Sequence, residues 1–75
     1  MDISKYELIF MQHALKRADE SNINIYLITK ALHNGLIERF GKHGVKFILR
    51  GKKRTIICVG HIIGIEIKIF TVEEK

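Results

Sequence analysis

From residue 36 onward, apolar side chains recur at every second position in short runs broken by glycine. Val45, Phe47 and Leu49 alternate with Lys46, Ile48 and Arg50. Ile65, Ile67 and Ile69 alternate with Glu66, Lys68 and Phe70. A period of two marks a strand that buries one face. Gly41–Lys42–His43–Gly44 and Gly51–Lys52–Lys53 have turn composition. The spacing predicts strands over 36–40, 45–50 and 54–60, a loop over 60–64, and a last strand from Ile65. The stretch 54–60 is largely apolar and suits a central strand. Short connections favour antiparallel neighbours, so the sheet is expected to be a meander.

The first half has a different period. Ser4 followed by Glu7 fits a capping box, with Ile3 and Leu8 placed as a hydrophobic staple. A helix is predicted from about Lys5 to Glu20, with Leu8, Met11, Leu15 and Ala18 as its apolar stripe. Asn24 caps a second helix, and Ile23 with Ile28 repeats the staple. Ile28, Ala31 and Leu32 supply its buried face. Gly35 after Asn34 predicts a left-handed stop. Ile-rich strands need a covering layer, and the two helices are its source. The expected class is α+β: two N-terminal helices packed on a sheet of three or four antiparallel strands, in one domain over 1–75.

With 47% hydrophobic residues, a chain of 75 has the apolar content of a folded domain, not of a basic disordered tail. The single cysteine, Cys58, excludes an internal disulfide and fits a reduced, cytoplasmic setting. Its apolar strand context makes it a small core residue. Met1–Asp2–Ile3 does not begin a signal peptide. No apolar run approaches the roughly 20 residues of a bilayer span, so no membrane partner is expected. One Cys and four scattered His lack the paired spacing of a zinc site. No glycine pattern matches a nucleotide-binding loop, and no cofactor is implied.

Charge is concentrated. Residues 39–54 carry seven of the thirteen Lys and Arg and no carboxylate, so this segment generates the net charge of +5. Its candidate nucleic-acid contacts are Arg39, Lys42, His43, Lys46, Arg50, Lys52, Lys53 and Arg54. A concentrated positive field attracts polyanions, of which nucleic acid is the commonest. The alternative is a pair of strand ends kept soluble and protected from edge pairing by charge. If the helices cover the other face, these cations line an open sheet surface. Phe40 and Phe47 fall on strands, where they serve either as core or as stacking faces for bases. His33 near the end of helix 2 complements the helix dipole. His61 has no assignable partner.

The order of features has a resemblance. His13–Ala14–Leu15–Lys16–Arg17 on the first helix is followed by Asn22–Ile23, a capped second helix, Asn34–Gly35, a basic hairpin and a strand ending Ile69–Phe70–Thr71–Val72. From about Tyr6 to Val72 this resembles a family of small uncharacterised domains with a His-Ala-x-x-Arg helix and a Thr-Val ending. Those domains look like distant relatives of the BrnT and RelE/ParE toxins. The resemblance implies two helices on a curved antiparallel sheet and a toxin-antitoxin role. It also implies RNA or the ribosome as partner, an acidic antitoxin as a second partner, and a possible ribonuclease activity. ParE-like relatives inhibit gyrase instead, so the fold does not choose the activity. The sequence ends Glu73–Glu74–Lys75, without the basic or tyrosine-bearing tail of RelE-type nucleases, and the expectation concerns binding more than cutting.

Metal-free RNA cleavage needs proton transfer and cations near the phosphate. His13 and Arg17, four apart on one helix face, and Arg50 are the candidate catalytic residues. Tyr6 and Phe10 are expected to continue that helix stripe. The competing structural role has His13 and Arg17 pinning the helix to Glu20 or a backbone carbonyl. A function of another class is a non-catalytic interaction module whose basic sheet meets an acidic protein segment. A third is a stable domain whose charge serves solubility alone.

Overall fold

The structure, a computed structural model, describes residues 2–75; Met1, the first residue of the start read above for a signal peptide, lies outside them. A short 3-10 turn, Ile3–Lys5, leads into strand β1, Glu7–Phe10. Helices α1, Gln12–Glu20, and α2, Ile25–Asn34, follow. The rest is β2, Leu36–Phe40, β3, Gly44–Arg50, β4, Thr55–Ile63, and β5, Glu66–Glu74. The fold is α+β: two helices packed on a five-stranded mixed sheet of order β1-β5-β4-β3-β2.

The meander from β2 to β5 is antiparallel, with β4 at the centre, as the short connections and the largely apolar stretch 54–60 imply. The fifth strand overturns the single long first helix. Leu8 and Phe10 alternate with Glu7 and Ile9, and this segment pairs in parallel with β5, Leu8 beside Ile67 and Phe10 beside Ile69. Hydrogen bonds from Glu7 N to Ile65 O and from Met11 N to Ile69 O hold both of its ends. Ser4 does not open a capping box. Asp2 accepts from both the Ser4 amide and the Ser4 hydroxyl, which caps the 3-10 turn instead. The Ser4 hydroxyl, and then its N–H, hold the Asp2 carboxyl below its ordinary value.

Starting α1 at Gln12 also changes which face it buries. Ala14 and Ala18 lie against β5, while Met11 and Leu15 are exposed. The two small side chains let the helix approach the sheet closely. Helix α2 forms as expected: Asn24 Oδ1 accepts from Leu27 N at 2.9 Å, and Ile23, Ile28, Ala31 and Leu32 are buried. Gly35 ends it with φ −74°, not left-handed. Glycine is needed there for space, since a Cβ would run into the carbonyls of Ala31 and Ile48.

The core lies between the helices and one face of the sheet. Ala14, Ala18, Ile28 and Leu32 meet Phe47, Cys58, Ile67 and Val72, among others. The expected loop over 60–64 is mostly strand. His61 and Ile63 point away from the core while Ile62 enters it opposite Ile67, so β4 continues to Ile63. Among the described residues no helix is long and apolar enough to cross a membrane.

Candidate nucleic-acid interface

The helices pack on one face, α1 on β5 and α2 on β3 and β4. Strand alternation sends every second side chain to the other face. Val45 and Phe47 belong to the core, so Lys46, Ile48 and Arg50 project from the uncovered side. Register then fixes the rows across that side. Phe40, Gly44, His61, Lys68 and Ile9 form one row from β2 to β1. Glu38, Lys46, Val59 and Thr71 form the next. Leu36, Ile48, Ile57 and Glu73 follow, and then Arg50 and Thr55.

The basic segment therefore divides. Lys46 and Arg50 stand on the uncovered face. Lys42 and His43 occupy the turn at one end of β3, and Lys52 and Lys53 the turn at the other. Seven residues of strand separate the two turns by roughly 20 Å. Arg39 and Arg54 lie on the other side of the sheet. Arg39 pairs with Val45 on the helix side and donates from Nε to the Gly44 carbonyl at 3.3 Å. Arg54 pairs with Glu74 and donates to the Ser21 carbonyl in the turn between α1 and α2. Sheet pairing also brings in a carboxylate that chain order kept outside the basic run: Glu38 lies directly across from Lys46.

His13 and Arg17 are exposed on α1, in the helix layer. Among the described residues neither side chain makes a hydrogen bond or ion pair, so they do not pin the helix. Phe10 is in β1 and packs on the core, and does not extend their stripe. Arg50 projects from the opposite side of the sheet, so the three candidate catalytic residues share no surface. Cys58 is fully buried, and burial pushes its thiol up to about 12, which makes it inert at neutral pH.

Aromatic side chains join the lysines on the uncovered face. Phe40 is 42% exposed, and Lys46 Nζ stands 5.6 Å from its ring centroid, a cation–π contact. His61 meets Phe70 edge-to-face with ring centroids 4.7 Å apart. Phe70 is in phase with Lys68 in the sequence, so its side of the sheet was legible. Its meeting with His61 depends on a register that skips one residue of β5 between Val59 and Gly60, which no local pattern signals. Half-buried lysines beside the partly exposed Phe40 ring and the His61–Phe70 pair offer charge and aromatic surface, a chemistry suited to binding.

Compared with protein-family models, curated proteins and solved structures, the chain matches none.

Proposed function

We propose that this protein binds RNA through the uncovered face of its sheet and the two turns that flank β3. The observation that carries the proposal is the line of cations along β3: Lys42, with His43 beside it, then Lys46 and Arg50, then Lys52 and Lys53. A run of this length meets several phosphates at once, and each neutralised phosphate releases counterions. The resemblance to BrnT- and RelE-like toxins supplies the reason to name RNA or the translation machinery as the polyanion. The proposal concerns binding. Cleavage by His13 and Arg17 would require RNA to reach the helix layer as well.

The test is equilibrium binding of a labelled RNA over a range of salt. Affinity is expected to fall steeply as salt rises. Joint replacement of Lys46, Arg50 and Lys53 by Ala is expected to reduce the slope of log K against log salt by about two to three. Absent or salt-independent binding sinks the proposal. Induced expression extends the test to the toxin role, which predicts arrested growth, with cut messenger RNA if the domain is a nuclease.

A second reading rests on the apolar row in the middle of the same face. Ile48 and Ile57, each only 8% exposed, are paired there beside Leu36, which is 57% exposed, and β2 has a free edge. Apolar centre and basic rim also suit an acidic protein segment, such as an antitoxin, added along that edge. Normal growth, intact message and capture of an acidic peptide with no RNA binding would favour it.

A further inference from the structure

We infer that the end of the uncovered face nearest the 41–43 turn is a stacking subsite for unpaired bases, so the RNA bound is single-stranded. The inference rests on the RNA-binding proposal and adds the class of RNA and the residues that recognise it. Three rings occupy this end: Phe40 on β2, His61 on β4 and Phe70 on β5. Phe40 and His61 flank Gly44 in one row. Gly44 leaves a gap between them, and the Phe40 ring fills it: a Cβ at Gly44 would run into Cδ2 and Cε2 of that ring. Phe40 is thus laid over the sheet toward its middle, not turned out at the edge. His61 and Phe70 then hold each other edge-to-face.

Strands are about 4.8 Å apart, so the Cα atoms of Phe40 and His61 are separated by roughly 10 Å, and the Phe40 ring leans into that interval. The rings offer two stacking positions, one at Phe40 and one at the His61–Phe70 pair. Basic side chains surround both. Lys46 stands over Phe40, Lys68 lies across from His61, and Lys42 and His43 sit on the adjoining turn. Carboxylates border this end at Glu38, across from Lys46, and at Glu66, one row beyond Lys68 and paired with Glu7 of β1. An aromatic side chain stacks on any base whose face is free, whereas the bases of an A-form duplex are stacked on each other and its deep groove admits no side chain. Phosphate contacts alone do not separate the two forms; rings placed between lysines do.

The experiment measures binding of the intact protein to three labelled RNAs of equal length: an oligouridine strand, a blunt duplex, and a strand whose central residues are abasic. The oligouridine is expected to bind at least tenfold more tightly than either of the others. Phe40→Leu and Phe70→Leu, checked for unchanged melting, are each expected to weaken oligouridine binding about five- to hundredfold. Duplex affinity and the salt slope should not move. Equal binding of the abasic and oligouridine strands, an outcome that needs no variant, overturns the stacking subsite and leaves the RNA proposal standing. Failure of the wild-type protein to bind any of the three overturns both.

Discussion

Arg54 ties Glu74 at the end of β5 to the helix layer: it pairs with that carboxylate and donates from Nη2 to the Ser21 carbonyl, 3.1 Å away. One side chain thus joins the start of β4, the end of β5 and the turn after α1. Arg54→Ala removes both contacts and strips the Ser21 carbonyl of its donor. The expected cost is about 1–2 kcal/mol. Glu74→Gln keeps a hydrogen-bond acceptor and removes only a partly exposed ion pair, worth about 0.2–1 kcal/mol. Urea unfolding of both variants checks the order. Because Arg54 faces the helices, Arg54→Ala should also leave the salt slope of RNA binding unchanged.

Cys58 gives a pH dependence with a defined sign. Burial raises its folded value from 9.0 to about 12. The unfolded thiol therefore ionises first, and the thiol's contribution to stability is full below about 9 and is lost as pH rises toward 12. Cys58→Ala lacks the group and is less stable at pH 7 through lost packing. The gap in melting temperature between wild type and this variant is expected to narrow between pH 9 and pH 11. In the native state at pH 7.5, thiol reagents should react only after unfolding.

Much of the second half of the fold was legible because β3, β4 and β5 each bury one face, whereas β2 is exposed along most of its length. Val45, Phe47, Ile67 and Ile69 alternate with polar or open-face residues, and tertiary packing agrees with the local period. The first half misled for a physical reason. Leu8 fits both a helical stripe with Met11 and Leu15 and a strand alternation with Phe10, and four residues are too few to separate the periods. What decides is β5, nearly sixty residues away, whose free edge accepts Glu7–Phe10 in parallel. The candidate site shows the same limit. The cationic run was visible in the chain, but Arg39 and Arg54 could be set apart from Lys46 and Arg50 only once register was known.

Gly60 reports on that register. It sits beside the β5 irregularity, where a Cβ would run into the Lys68 carbonyl oxygen. Backbone cannot yield there without breaking the central strand pair. Gly60→Ala is expected to cost more than about 2 kcal/mol, well above an ordinary strand substitution. Gly64→Ala, with φ +61° but open space around it, should cost about 1 kcal/mol through backbone strain alone. Thermal melts of the two variants separate close approach from conformational freedom.

His13 and Arg17 separate binding from chemistry. Both are exposed on α1 and, among the described residues, make no hydrogen bond or ion pair. Surface substitutions of this kind stay within about 0.5 kcal/mol, so His13→Ala and Arg17→Ala should melt like the wild type. They lie in the helix layer, away from the lysines and rings of the uncovered face, so RNA affinity should change less than twofold. A tenfold loss in either variant would put the RNA on the helix side and remove the sheet face from the proposal. Growth on induced expression supplies the remaining distinction. Arrest that His13→Ala abolishes, with binding and melting unchanged, would assign α1 to the chemical step and the sheet to holding the strand.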